Sequence, residues 1–204
     1  MKIKICGIKT LTAAQAVENY GSDFIGCIFY KKSRRYISPE LAAQILKPLK
    51  RVKKVGVFVN EKVSVVNEIS ALVNLDYVQL HGNENADYAA QIHKPIIKAY
   101  RFNENFNVDD ANNFPCEFIL IDSFVKGQVG GTGQTFNWEN SADKISQITK
   151  PIFIAGGISL ENFSDAARIF KPYALDVSGS LEIDGEKSVD KIKSFMTATK
   201  NFGE

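Results

Sequence analysis

The amino-acid sequence predicts a (β/α)8 barrel, an α/β fold, and three observations lead there. Eight short runs rich in apolar and β-branched residues recur at fairly even spacing. Stretches with helical spacing separate them. Several runs are apolar at successive positions, as in Val55-Gly56-Val57-Phe58-Val59 and Phe118-Ile119-Leu120-Ile121, which marks strands covered on both faces. Strands of that kind, alternating with helices, form parallel βα units with right-handed crossovers. A doubly wound open sheet is the structural rival, and the count of eight favours a closed barrel.

The elements follow in order. Lys2–Cys6 is the first strand, and Thr10–Tyr20 the first helix, with Leu11, Ala14 and Val17 on one side. Asp23–Phe29 is the second strand. Ser38 and Pro39 then open a helix as N-cap and first residue. Lys54–Val59 precedes a helix over Glu61–Val73, which carries Val63, Val66, Ile69 and Val73. Asp76–His81 and Asn83–Ile92 form the fourth unit, and Pro95–Tyr100 the fifth strand. Glu104–Asn113 is rich in Asn and Asp, so a short or irregular helix is expected there. Glu117–Asp122, Trp138–Ile148, Pro151–Ala155, Ser159–Phe170, Ala174–Ser178 and Glu186–Thr199 complete the pattern.

With 204 residues the chain suits one domain, 1–204, at the short end of the range for this fold. The formal net charge is +2, from 25 basic and 23 acidic residues, too small an excess for a broad nucleic-acid footprint. Three cysteines at wide spacing fit a reducing compartment better than a disulfide framework. With two histidines and no paired ligand spacing, a metal site is not expected. Met1–Ile5 does not read as a signal peptide, and no apolar run approaches membrane-spanning length. The expectation is a cytoplasmic protein, monomeric, with neither a nucleic-acid nor a membrane partner.

In this fold the chemistry sits where strands end at the C-terminal face. There the sequence places Cys6-Gly7, Gln79-Leu80-His81-Gly82, Asp122-Ser123, Gly156-Gly157 and Asp176-Val177-Ser178-Gly179-Ser180. The small residues after strands seven and eight suit a phosphate, held by backbone N–H groups. Cys6 acts as a base only if its pKa is lowered; Lys9 and the helix start near Thr10 are the candidates to do so. Its bland alternative is a small buried apolar residue, which is how Cys27 and Cys116 are read. Asp122 ends an apolar run at the edge of a dry cavity, which can keep a carboxylic acid protonated. Its alternative is a cap. His81 is read against a satisfied core histidine, and Asp176 as structural. Of Arg34 and Arg35, one can reach an anionic substrate as a forked donor.

Lys4-Ile5-Cys6-Gly7, Gly56-Val57-Phe58-Val59-Asn60, Val78-Gln79-Leu80-His81-Gly82, Gly130-Gly131-Thr132-Gly133 and Asp176-Val177-Ser178, in this order, resemble the phosphoribosylanthranilate isomerase family across essentially the whole chain. The resemblance implies an Amadori rearrangement of a sugar-phosphate substrate in tryptophan biosynthesis, without a cofactor. It implies Cys6 as general base, Asp122 as general acid and Arg35 on the anthranilate carboxylate. Gly156, Gly157, Ser178, Gly179 and Ser180 match phosphate loops, and Gly131 belongs to a stretch resembling a mobile loop. With Gln79 and His81 these form the expected substrate site. Three departures stand out: Lys31 and Arg34 where relatives often have proline, Ser178-Gly179-Ser180 in place of Ser-Ser-Gly, and Asn137 in place of Asp. Two other readings compete: a Schiff-base aldolase using Lys98 in the fifth strand, and a sugar-phosphate binding barrel without catalysis.

Overall fold

The structure, a computed structural model, describes residues 1–103, 105–122 and 138–202, with the backbone only of residues 139 and 140. Ser123, Gly131 with the rest of Gly127–Gly133, and Asn137 lie outside the described residues. Eight strands, β1 (Lys2–Cys6), β2 (Phe24–Ile28), β3 (Lys53–Phe58), β4 (Tyr77–Leu80), β5 (Ile96–Arg101), β6 (Phe118–Asp122), β7 (Ile152–Ala155) and β8 (Ala174–Val177), close into a barrel in sequence order. Neighbouring strands run parallel, and β1 pairs with β8 to complete the ring. Each observed strand boundary lies within one residue of the sequence expectation.

Alternation along the strands separates two cores. Outward residues such as Ile3, Ile5, Ile25 and Cys27 pack with Ala14, Val17, Ile45 and Ile192 of the surrounding helices. Inward residues Phe24, Val55, Ile97, Phe118, Leu120 and Phe153 fill the barrel. Edge-on contacts of Phe153 with Phe24 (5.2 Å) and Phe118 (5.3 Å) plug the end where the strands begin. The inward positions at the other end include Cys6, Gln79, Asp122 and Asp176, polar or ionisable, beside the apolar Ile28, Val57 and Ala155. The same alternation that builds the core therefore delivers a polar floor at the C-terminal mouth.

The helices are α1 (Leu11–Asn19), α2 (Pro39–Leu46), α3 (Val63–Val73), α4 (Ala86–Ala89), α5 (Val108–Asn113), α6 (Trp138–Ile145), α7 (Phe163–Phe170) and α8 (Val189–Asn201). Ser38 caps α2 as expected, its hydroxyl accepting from the Leu41 N–H at 3.3 Å with Pro39 next in line. Helix α5 is short, as its composition predicts.

Three helix expectations need correction. The helix expected over Asn83–Ile92 is only the four residues of α4. Glu84 is turned inward, accepting from the N–H groups of Asn60 (2.8 Å) and Gly82 (3.0 Å), so the chain ahead of Asn85 is a brace rather than a helix. The helix expected from Ser159 begins only at Phe163; Asn162 precedes it, its amide donating to Gly157 O and accepting from the Ser159 N–H. Glu186 belongs to a hairpin, β9 (Glu182–Ile183) with β10 (Glu186–Lys187), and α8 starts later, capped by Ser188. Asp184 and Gly185, at φ 51° and 83°, make its two-residue turn, the pairing that such hairpins favour.

Candidate active site

The C-terminal mouth encloses a cavity of 530 Å³. Cys6 from β1 and Asp122 from β6 both line it. So do Gln79 and His81 after β4, and Arg35 from the loop after β2. Gly156, Gly157, Ser178, Gly179 and Ser180 form its wall along β7 and β8. Every described member of the site expected from sequence thus meets in one place.

Cys6 is buried, and its sulfur has room only because its register partner on β2 is Gly26. A Cβ on Gly26 would lie 2.8 Å from the sulfur and 3.2 Å from the Cys6 Cα. Gly26→Ala is therefore expected to destabilise by about 1–3 kcal/mol through overpacking. By displacing the sulfur it should also cost roughly 10-fold to 10²-fold in kcat. Denaturant melts and steady-state kinetics check both.

Burial pushes the Cys6 thiol up; the Lys4 ammonium pulls it back, Asp176 opposes that pull, and Lys187 adds to it. The cations at the sulfur are thus Lys4 and Lys187. Lys9, the candidate from sequence, is engaged elsewhere, its ammonium 2.5 Å from Glu186. Asp176, read from sequence as structural, lines the cavity and holds Lys4 at 2.8 Å.

Asp122 stands at the end of a polar relay. The Gln79 amide lies 2.9 Å from His81 Nδ1, and His81 Nε2 lies 3.4 Å from Asp122 Oδ2. With Nδ1 accepting from the amide, the ring carries its proton on Nε2, facing the carboxyl. His81 therefore stands beside the Asp122 carboxyl, with Gln79 behind it, and both line the cavity wall.

Gly156 and Gly157 are consecutive left-handed residues, at φ 91° and 72°. A Cβ on Gly157 would meet nothing within 4 Å, so glycine is needed there for its backbone angle rather than for space. The two serines of the eighth loop are used internally. Ser178 Oγ donates to Cys6 O at 2.9 Å, and Ser180 Oγ donates to Ile158 O at 2.7 Å. What that loop offers a ligand is chiefly backbone N–H groups at the start of the 3-10 turn Gly179–Leu181.

At the rim, Arg35 grips Glu182 with Nε at 2.5 Å and Nη2 at 3.1 Å. Lys187 joins the same carboxylate at 2.7 Å, and the mostly exposed Arg34 at 2.8 Å. Burial alone would push the Glu182 carboxyl up, but the hydrogen bonds and charges of Arg35 and Lys187 reverse this and hold it at about 2. The clamp therefore stays ionised through any ordinary assay pH, and its contribution to stability fades only as pH falls below the normal carboxylate range toward 2.

Lys98 is outside this cavity. Its ammonium, almost wholly buried, is bound to Glu84 at 2.8 Å and to Gly82 O at 2.7 Å. A lysine held as the cation of a buried pair is not a free amine for an imine, which removes the support for an aldolase through this residue.

Residues 3–198 match the family model described as N-(5'phosphoribosyl)anthranilate (PRA) isomerase. The chain belongs to the phosphoribosylanthranilate isomerase family. An N-(5'-phosphoribosyl)anthranilate isomerase of Bacillus cereus strain AH187 is 37% identical over 201 residues, 98% of either chain. The crystal structure of phosphoribosylanthranilate isomerase from Thermotoga maritima superposes with a TM-score of 0.87 at 35% identity, covering 98% of this chain and 99% of that one. Another solved isomerase of the family holds reduced 1-(o-carboxyphenylamino)-1-deoxyribulose 5-phosphate; it is 34% identical with a TM-score of 0.86 over 98% and 99% of the two chains.

Against this isomerase family background, sequence reasoning passed over four residues of the site: Lys4, Gly26, Glu182 and Lys187. Lys4 was detectable as a lysine two positions before Cys6 on a strand that must face inward. Asp184-Gly185 marked the hairpin that delivers Glu182 and Lys187. Gly26 had no local signal, since its role depends on which strand lies beside β1.

Proposed function

We propose that this cavity converts N-(5′-phosphoribosyl)anthranilate to its 1-deoxyribulose 5-phosphate isomer, an Amadori rearrangement in tryptophan biosynthesis, with Asp122 as general acid and Cys6 as general base. The observation that carries the reading is that an ionisable thiol and a carboxyl, from β1 and β6, line one cavity whose far wall is two left-handed glycines and a turn of small residues. Asp122 protonates the ring oxygen, and the sugar opens to an imine. Cys6, as thiolate, removes the proton from C2, and the imine takes up the electrons. His81 then donates to the carboxylate that Asp122 has become. The reaction supplies its own electron sink, so no cofactor is called for.

The phosphate is assigned to the backbone at Gly156-Gly157 and Gly179-Ser180, where anion-binding loops of this fold lie. The aromatic carboxylate is assigned to Arg35. Glu182 occupies Nε and one Nη2 proton, leaving the other donors of the fork for substrate. Arg35→Ala is expected to raise KM roughly 10-fold or more, the value of a charged hydrogen bond, with a smaller change in kcat. An unchanged KM would take Arg35 out of the carboxylate site.

The chain is read as one working unit, 1–204, and as a monomer. The exposed leucines Leu11, Leu41 and Leu72 belong to three different helices and Leu160 to the turn ahead of α7, which supports single, scattered exposed side chains, and light scattering tests that state. Among the described residues no helix is long and apolar enough to cross a membrane. The cytoplasm is the proposed location, where Cys6 stays reduced. The deciding experiment is loss of phosphoribosylanthranilate fluorescence on adding purified protein. A flat trace with folded protein would favour a binding barrel without catalysis.

A further inference from the structure

The reading of Cys6 as base leaves a buried ion pair behind it unexplained. Lys4 precedes Cys6 by two residues on β1, so both side chains enter the barrel on the same face. Lys4 is fully buried, and its Nζ lies 2.8 Å from Oδ2 of Asp176, its register partner on β8. Taking two charges out of water is costly, and well-packed apolar residues commonly serve the fold as well or better. The barrel beneath is filled that way, with Phe24, Leu120 and Phe153. Packing therefore gives no reason for charge at this level.

The pair is also incomplete as a structural bridge. Asp176 Oδ1 is buried and has no hydrogen-bond partner among the described residues. A pair kept for the fold alone would have its remaining lone pairs met. Here the carboxylate is spent on Lys4, and Lys4 shares the inward face of β1 with the sulfur two residues on: burial works against its charge, while Asp176 and Cys6 both sustain it.

We propose that Lys4 is a positioning residue whose ammonium is the counter-ion of the Cys6 thiolate, held at the sulfur by Asp176. The thiol proton leaves to water and no other bond changes; the ammonium is already in place when the negative charge appears. The other groups facing the sulfur do not take this role. Lys187, from β10, is bound to Glu182 and to Ser178 O at 3.2 Å. Cys27, from β2, is itself pushed up by burial. His81 and Asp122 act across the cavity on Asp176.

The inference rests on Cys6 being the base, but its test need not. The rate of Cys6 alkylation by iodoacetamide, mapped to the residue by mass spectrometry, is followed against pH in the wild type, Lys4→Met and Asp176→Asn. Lys4→Met should raise the midpoint by about one unit or more, slowing alkylation at pH 8 roughly tenfold. Asp176→Asn keeps an acceptor for Lys4 but removes the opposing charge, so its midpoint should fall. The rising limb of kcat/KM should move with each midpoint. Opposite shifts are not what general loosening of a core pair produces. Midpoints that stay put, or move the same way in both variants, overturn the proposal. If Lys4→Met does not fold, Asp176→Asn decides alone, and an unchanged or higher midpoint overturns it. Should Cys6→Ala retain turnover while the midpoints shift as expected, the base role fails and the counter-ion stands.

Discussion

Cys6→Ala is expected to lower kcat by roughly 10²-fold or more, the usual contribution of a positioned base. The substitution removes one sulfur above Gly26 and adds no atom, so the barrel should fold with a modest loss of stability, about 1 kcal/mol. The pH dependence carries the sign of the argument. The base must be deprotonated, and burial pushes the thiol above its ordinary value even with Lys4 and Lys187 nearby. The limb of kcat/KM that reports the free enzyme should therefore still be rising with pH through about 8.5, where an unperturbed thiol would be half ionised. That limb should be missing from whatever activity Cys6→Ala retains. Turnover of the variant at the wild-type rate would remove the thiol from the mechanism.

Asp122→Asn should likewise cost roughly 10²-fold or more in kcat. The amide keeps the shape of the side chain and an oxygen for His81 Nε2, but it has no acidic proton for the ring oxygen. The loss should fall on ring opening. An open-chain ligand such as the reduced product analogue held by a relative should then bind the variant with affinity close to wild type, because its ring needs no opening. Equal loss of that affinity would assign Asp122 to binding instead, and full turnover would dismiss it as the acid.

The strands were legible because parallel barrel strands are covered on both faces, so their apolar runs stand out with little alternation. The site was legible at strand ends for the same reason: a polar residue closing such a run, as Asp122 closes Phe118–Ile121, has only the barrel mouth to occupy. Helix boundaries were less so. Glu84 reads as helical but is drawn inward by Lys98, 14 residues further along on the next strand, and Glu186 reads as helical but pairs in a hairpin. In both, a contact with another element outweighed local propensity.

Electrostatics was least legible. Lys9 is three residues from Cys6 yet bonds Glu186, whereas Lys4 meets Asp176 across a separation of 172 residues because β1 closes on β8.

Apolar runs and their spacing, then, were enough for eight strands alternating with helices and for the polar residues that close them, since a strand covered on both faces shows itself in its own residues; the closed barrel followed from the count of eight, and the roles of the site residues from the family resemblance. Which charge faces which was decided by ring closure and by the β9–β10 hairpin: Coulomb interactions and hydrogen bonds act over a few ångströms of space, and only the folded chain says what lies within them.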